Sequence, residues 1–122
     1  MSKALYYFDL GIGYMQSGKP EKAIKSFKKA IKIDPDHAKS HFHLGNAYNE
    51  SGKCEEAIES YEQAIRIDPD YAEAHNELGP AYANTGMTEK AIKSLKKAIE
   101  IDPDFATAHF NLGLAYEIFN DR

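Results

Sequence analysis

Asp34-Pro35-Asp36 returns as Asp68-Pro69-Asp70 and again as Asp102-Pro103-Asp104, 34 residues apart each time. A fixed period of that size belongs to small supersecondary units that stack, each burying its apolar face on its neighbours. Proline removes a backbone donor and clashes with a helical turn, so each copy of the phrase ends the helix before it. Working outward, position 1 of the repeat falls on Ala4, Ala38, Ala72 and Ala106. The chain then reads as one domain, residues 1–122, with units 4–37, 38–71 and 72–105 and a terminal half-unit 106–122.

Aligned in this register, the units repeat their sizes as well as their turns. Position 7 holds Leu10, Leu44, Leu78 and Leu112, each followed by Gly11, Gly45, Gly79 or Gly113. Position 11 is Tyr14, Tyr48, Tyr82 and Tyr116. Later in the unit stand Ala23-Phe27-Ala30, Ala57-Tyr61-Ala64 and Ala91-Leu95-Ala98, at spacings of four and three. Both sets are helical spacings, so each unit carries two helices, A and B, with one apolar face apiece. Glycine and alanine let the pair approach closely while the large residue fills the gap. Gly18, Gly52 and Gly86 separate A from B as left-handed stops. Pro20 suits the first turn of a B helix. Asp36, Asp70 and Asp104 are placed to cap the next A helix, Asp70 with Glu73 at capping-box spacing. The spacing predicts seven helices of about 12–14 residues and no strand.

The chain resembles the tetratricopeptide repeat family in Leu-Gly at positions 7–8, Tyr at 11, Ala at 20 and 27, an aromatic at 24 and Pro at 32. The resemblance covers residues 4–122 and recurs in register. It departs at position 4, which is Tyr7, His41, His75 and His109 instead of tryptophan, and at Leu95 in position 24. The resemblance implies an all-α, right-handed superhelix (solenoid) of seven antiparallel helices, whose concave groove holds peptide segments of partner proteins.

Composition excludes several other classes. A net charge of −4 gives no general attraction to nucleic acid or an anionic membrane. No segment approaches the roughly 18 apolar residues of a membrane span. Asp9 interrupts the apolar start, which stays in register with later repeats, so it reads as helix and not as a secretory leader. The single cysteine, Cys54, fits a reducing, cytoplasmic setting. Glu55 and Glu56 beside it oppose a thiolate. His41, His75 and His109 sit on successive units and cannot converge on one ion, so they read as packing residues and no metal or cofactor is expected. Nothing resembles a phosphate loop or a nucleophile elbow, and the chain is expected not to be an enzyme. Lysines on the first and third B helices are separated by Glu55, Glu56, Glu59 and Glu62 on the second, which breaks any continuous basic track.

Positions 2, 5, 9 and 12 of the A helices are left over after packing and form a further helical stripe. By resemblance they line the groove: Leu5, Phe8, Ile12 and Met15; Lys39, Phe42, Asn46 and Asn49; Glu73, Asn76, Pro80 and Ala83. Thr107, Phe110, Leu114 and Glu117 follow in the half-unit. Such a stripe suits a peptide, with apolar anchors and amides that bond its backbone. Pro80 inside an A helix frees the carbonyl of Asn76. Similar arrays clamp the C-terminal carboxylate of heat-shock chaperones with Lys, Asn and Arg. The corresponding residues here are Phe8, Ile12, His43, Glu73 and Glu77, and two carboxylates in place of cations repel an anionic tail. The last helix leaves Phe110, Leu114, Ile118 and Phe119 without a covering helix, which points to self-association as the alternative function.

Overall fold

The computed structural model describes residues 2–121. It contains α1 (Lys3–Gln16), α2 (Pro20–Ile33), α3 (Ala38–Glu50), α4 (Cys54–Ile67), α5 (Ala72–Asn84), α6 (Thr88–Ile101) and α7 (Ala106–Asn120). Among the described residues there is no strand, and the fold class is all-α as the periodicity predicts. The chain forms two compact units, residues 1–68 and 69–122. In the first, α1 packs on α2, α3 on α4, and α2 on α3; in the second, α5 packs on α6, and α7 on both.

The A helices α1, α3 and α5 close the same way. Gly18, Gly52 and Gly86 have φ of 71°, 76° and 81°, a conformation that costs any residue with a Cβ. With that residue left-handed, Lys19 N–H reaches the Tyr14 carbonyl at 2.9 Å and Gly18 N–H the Met15 carbonyl at 3.1 Å. Lys53 and Met87 repeat the longer bond to Tyr48 and Tyr82, both at 2.8 Å. This paired arrangement satisfies carbonyls that a helix end otherwise strands. Pro20 is the first residue of α2, as expected.

The Asp-Pro-Asp phrase works differently from its capping expectation. The N-caps of α3, α5 and α7 are His37, Tyr71 and Phe105, and none of the three makes a side-chain capping bond. Asp36, Asp70 and Asp104 therefore stand one residue before the cap, and Asp70 with Glu73 is not a capping box. The reason is a four-residue turn with proline in its favoured second place. It is closed by His37 N–H to the Asp34 carbonyl at 3.4 Å, and by Phe105 N–H to the Asp102 carbonyl at 3.1 Å. The helix starts only after the fourth residue. Asp102 Oδ1 tightens its copy by accepting from Asp104 N–H at 3.2 Å.

The position-4 histidines complete this corner. His41 Nε2–H donates to the Pro35 carbonyl at 2.9 Å, His75 to Pro69 at 2.9 Å, and His109 to Pro103 at 2.7 Å. A carbonyl only accepts, which fixes the ring proton on Nε2. The packing role read from the sequence thus includes a specific bond. Among the described residues no group of three or more His, Cys, Asp or Glu is placed to hold a metal ion. No helix among them is long and apolar enough to cross a membrane.

Between paired helices the core is built by size alternation. Phe27, Tyr61 and Leu95, one per B helix, are buried against Gly11, Gly45 and Gly79 respectively. A Cβ on Gly45 would lie 2.6 Å from the Tyr61 ring, closer than atoms pack. Ala23, Ala57 and Ala91 are completely buried alongside. At the rim, lysines lie over tyrosine rings: Lys22 over Tyr14 at 5.8 Å and Lys90 over Tyr82 at 5.7 Å.

Candidate functional site

In the first unit the candidate stripe lies on α1 and α3 and divides into two kinds of residue. Leu5, Lys39 and Asn49 are exposed, Leu5 at 47%. Phe8, Ile12 and Met15 are half-buried and pack on the cluster of Ala23, Ile24, Phe27, Leu44 and Ala47. Phe8 is ringed by aromatic neighbours, Phe27 at 5.9 Å, His37 at 5.2 Å and His43 at 5.4 Å between centroids. Phe42 sits 5.1 Å from His43 and 5.8 Å from Tyr61. These rings face the core on one side, so their positions are fixed before any ligand arrives.

Two contacts in this arrangement were not anticipated from the sequence. His43 is central to the ring cluster, stacked on Phe27 with an interplanar angle of 24°. Burial holds its imidazole below the usual pKa, helped by the charges of Lys39 and His37, so the ring is kept neutral. Tyr61 donates its hydroxyl to Asn46 Oδ1 at 2.6 Å. The signal for that bond was the exchange of Phe27 for Tyr61 at one repeat position, since a buried tyrosine hydroxyl demands a partner.

In the second unit the stripe on α5 is more deeply engaged. Asn76 is only 4% exposed. Its Nδ2 donates to Thr107 Oγ1 at 3.2 Å, and its Oδ1 accepts from Asn111 Nδ2 at 3.1 Å. The amide therefore joins α5 to α7. Glu73 and Pro80 are exposed, and α5 runs on past Pro80 to Asn84. Pro80 and Ala83 line a cleft of about 150 Å³ together with Leu95, Asn111, Leu114 and Ile118. Residues assigned separately to the groove and to self-association thus share one cleft, while Phe110 stands exposed at 67%. Burial pushes the Glu77 carboxyl of α5 above its usual pKa. Cys54 is the first residue of α4 and is partly buried.

Comparison with known proteins places this geometry in a family. A model described as TPR repeat matches residues 13–52, 45–86 and 85–117. A crystal structure of MamA is 35% identical with a TM-score of 0.92, covering 96% of this chain and 68% of that one. The second TPR domain of human RPAP3, solved in complex with the HSP70 peptide SGPTIEEVD, is 27% identical with a TM-score of 0.90, covering 93% and 95%. The Sgt2 TPR domain from Aspergillus fumigatus has the same fold, at a TM-score of 0.93, 24% identity and coverage of 99% and 82%. No curated protein matches the sequence. With three in-register repeats matched and the same helical corners in each, the chain belongs to the TPR repeat family, a family of protein-interaction folds.

Proposed function

We propose that the chain is a non-enzymatic adaptor that holds a peptide segment of a partner protein against the position 2, 5, 9 and 12 stripe of its A helices. The observation that carries this reading is the pairing, on α1 and α3, of exposed Leu5, Lys39 and Asn49 with half-buried Phe8, Ile12, Met15 and Phe42. Apolar side chains already fixed by the core lose little further freedom when a ligand covers them. Asn46 is held by the Tyr61 hydroxyl through its oxygen, which leaves the amide Nδ2 as the donor for a peptide carbonyl. The human RPAP3 domain, solved with a bound peptide, supports a ligand of this class. An acidic tail like that peptide's is not the ligand expected here, because Glu73 and Glu77 stand where cations would be needed.

A display selection of short peptides against the whole chain tests the reading. Enriched peptides should bind Leu5→Glu and Asn49→Ala about tenfold or more weaker, since both side chains are exposed and neither supports the core. Equal binding to both variants would contradict it.

A second reading, self-association through Phe110, Leu114, Ile118 and Phe119, is favoured by the exposure of all four on one helix. Sedimentation that returns a 13.7 kDa species at every concentration would remove it.

A further inference from the structure

The cleft between α5 and α7 lies at repeat positions that hold larger side chains in the first unit. There, position 9 is Ile12 and position 12 is Met15, both half-buried on the cluster that contains Phe27 and Ala47. In the third repeat the same positions are Pro80 and Ala83. The facing wall changes the other way, since Asn46 and Glu50 of α3 correspond to Leu114 and Ile118 of α7. Two large apolar side chains are thus withdrawn where the opposite wall becomes apolar. About 150 Å³ is left between Pro80, Ala83, Leu95, Leu114, Ala115 and Ile118. An apolar space of this order accepts one small apolar group. From α7 the cleft takes neither the position-8 nor the position-11 residue, the positions that meet the B helix in the first and third repeats.

We propose that this cleft seats one aliphatic side chain, leucine or methionine, of a partner peptide whose flanking residues are basic. The proposal rests on the adaptor reading and deepens it by naming an anchor. Ile12 and Met15 show the kind of side chain that the chain itself supplies at these positions. Pro80 and Leu114 are exposed, so the cleft opens to solvent, while Leu95 is buried against Gly79. An anchor that enters covers apolar surface already held in place by α5, α6 and α7. Asn111 lines the same cleft; its Nδ2 is given to Asn76, which leaves Oδ1 to accept a peptide N–H. Charge selects the flanks, because α5 and α7 contain Glu73, Glu77 and Glu117 and no Lys or Arg. α6 contributes Leu95 to the cleft, whereas its Lys90 and Lys96 lie over Tyr82 and Tyr116 and Lys97 is 3.8 Å from Glu100.

The probe is acetyl-Lys-Leu-Lys-amide, titrated into the isotope-labelled full chain and followed by NMR. Saturable shifts are expected at Gly79, Ala83, Leu114, Ala115 and Ile118. Binding should weaken about tenfold or more when glycine replaces the central leucine, and when aspartates replace both lysines. It should weaken as much in Ala83→Met, which returns to the cleft the side chain of the first unit. Methionine is a good helix former and Ala83 is partly exposed, so that variant keeps its fold, as a thermal melt will show. Absence of saturable shifts in the cleft, or equal binding to Ala83→Met, overturns the proposal. Display-selected peptides that weaken with Leu5→Glu but bind Ala83→Met like the parent also overturn it, and leave the adaptor reading standing. Shifts at the same residues that grow with protein concentration without peptide, and vanish in Ala83→Met, make a second copy the occupant and overturn it too.

Discussion

His75 donates its Nε2–H to the carbonyl oxygen of Pro69 across 2.9 Å, tying the first turn of α5 to the proline turn that precedes it. The same bond links His41 to Pro35 and His109 to Pro103. Replacing a ring nitrogen that satisfies a corner carbonyl should cost about 0.5–1.5 kcal/mol, more where the carbonyl is left dry. His75→Phe is therefore expected to lower the urea midpoint despite keeping the ring's bulk, and the more exposed His109→Phe to lower it less.

Glycine at position 8 should respond in opposite directions at two sites. Gly45→Ala drives a methyl to 2.6 Å from the Tyr61 ring and should destabilise by about 1–3 kcal/mol. Gly113→Ala meets nothing and replaces an exposed mid-helix glycine, so it should stabilise by about 0.5–1 kcal/mol. Denaturation curves of the two variants check the contrast.

Acid should loosen the first unit through His43. Burial, then Lys39 and His37, lower its pKa below 6.5, so the unfolded chain takes up the proton first. Stability from this group is complete above pH 6.5 and declines as pH falls toward the lowered value. His43→Phe should flatten that part of the stability–pH curve between pH 7 and pH 5, measured by thermal melts.

Glu77 works in the other sense. Burial raises its pKa above 4.5, so the folded state holds the proton more tightly than the unfolded one. Its contribution is complete below pH 4.5 and is lost as pH rises through the raised value. Glu77→Gln should therefore raise the melting temperature at pH 7 and make little difference at pH 4.

The parts of this architecture legible in the sequence are those set by size and backbone geometry. Gly18, Gly52 and Gly86 mark their turns because only glycine sits comfortably there, and Phe27, Tyr61 and Leu95 mark the gaps left by facing glycines. Side-chain hydrogen bonding was less legible, because periodicity gives a face and not a partner. Asn76 occupies a groove position by count, yet its amide is consumed by Thr107 and Asn111. Asp70 has the composition of a cap, yet the proline turn moves the helix start one residue on, to Tyr71 as cap. Asn46 and Asn49 look equivalent in sequence, and only Asn46 lies under the hydroxyl of Tyr61.

Amide chemical-shift mapping of the whole chain with a selected peptide tests the peptide-binding account most directly. The account predicts perturbations gathered on the α1 and α3 stripe, at Leu5, Phe8, Lys39, Phe42, Asn46 and Asn49. Perturbations confined to the outward lysines and glutamates of α2 and α4, with that stripe unmoved, would contradict it.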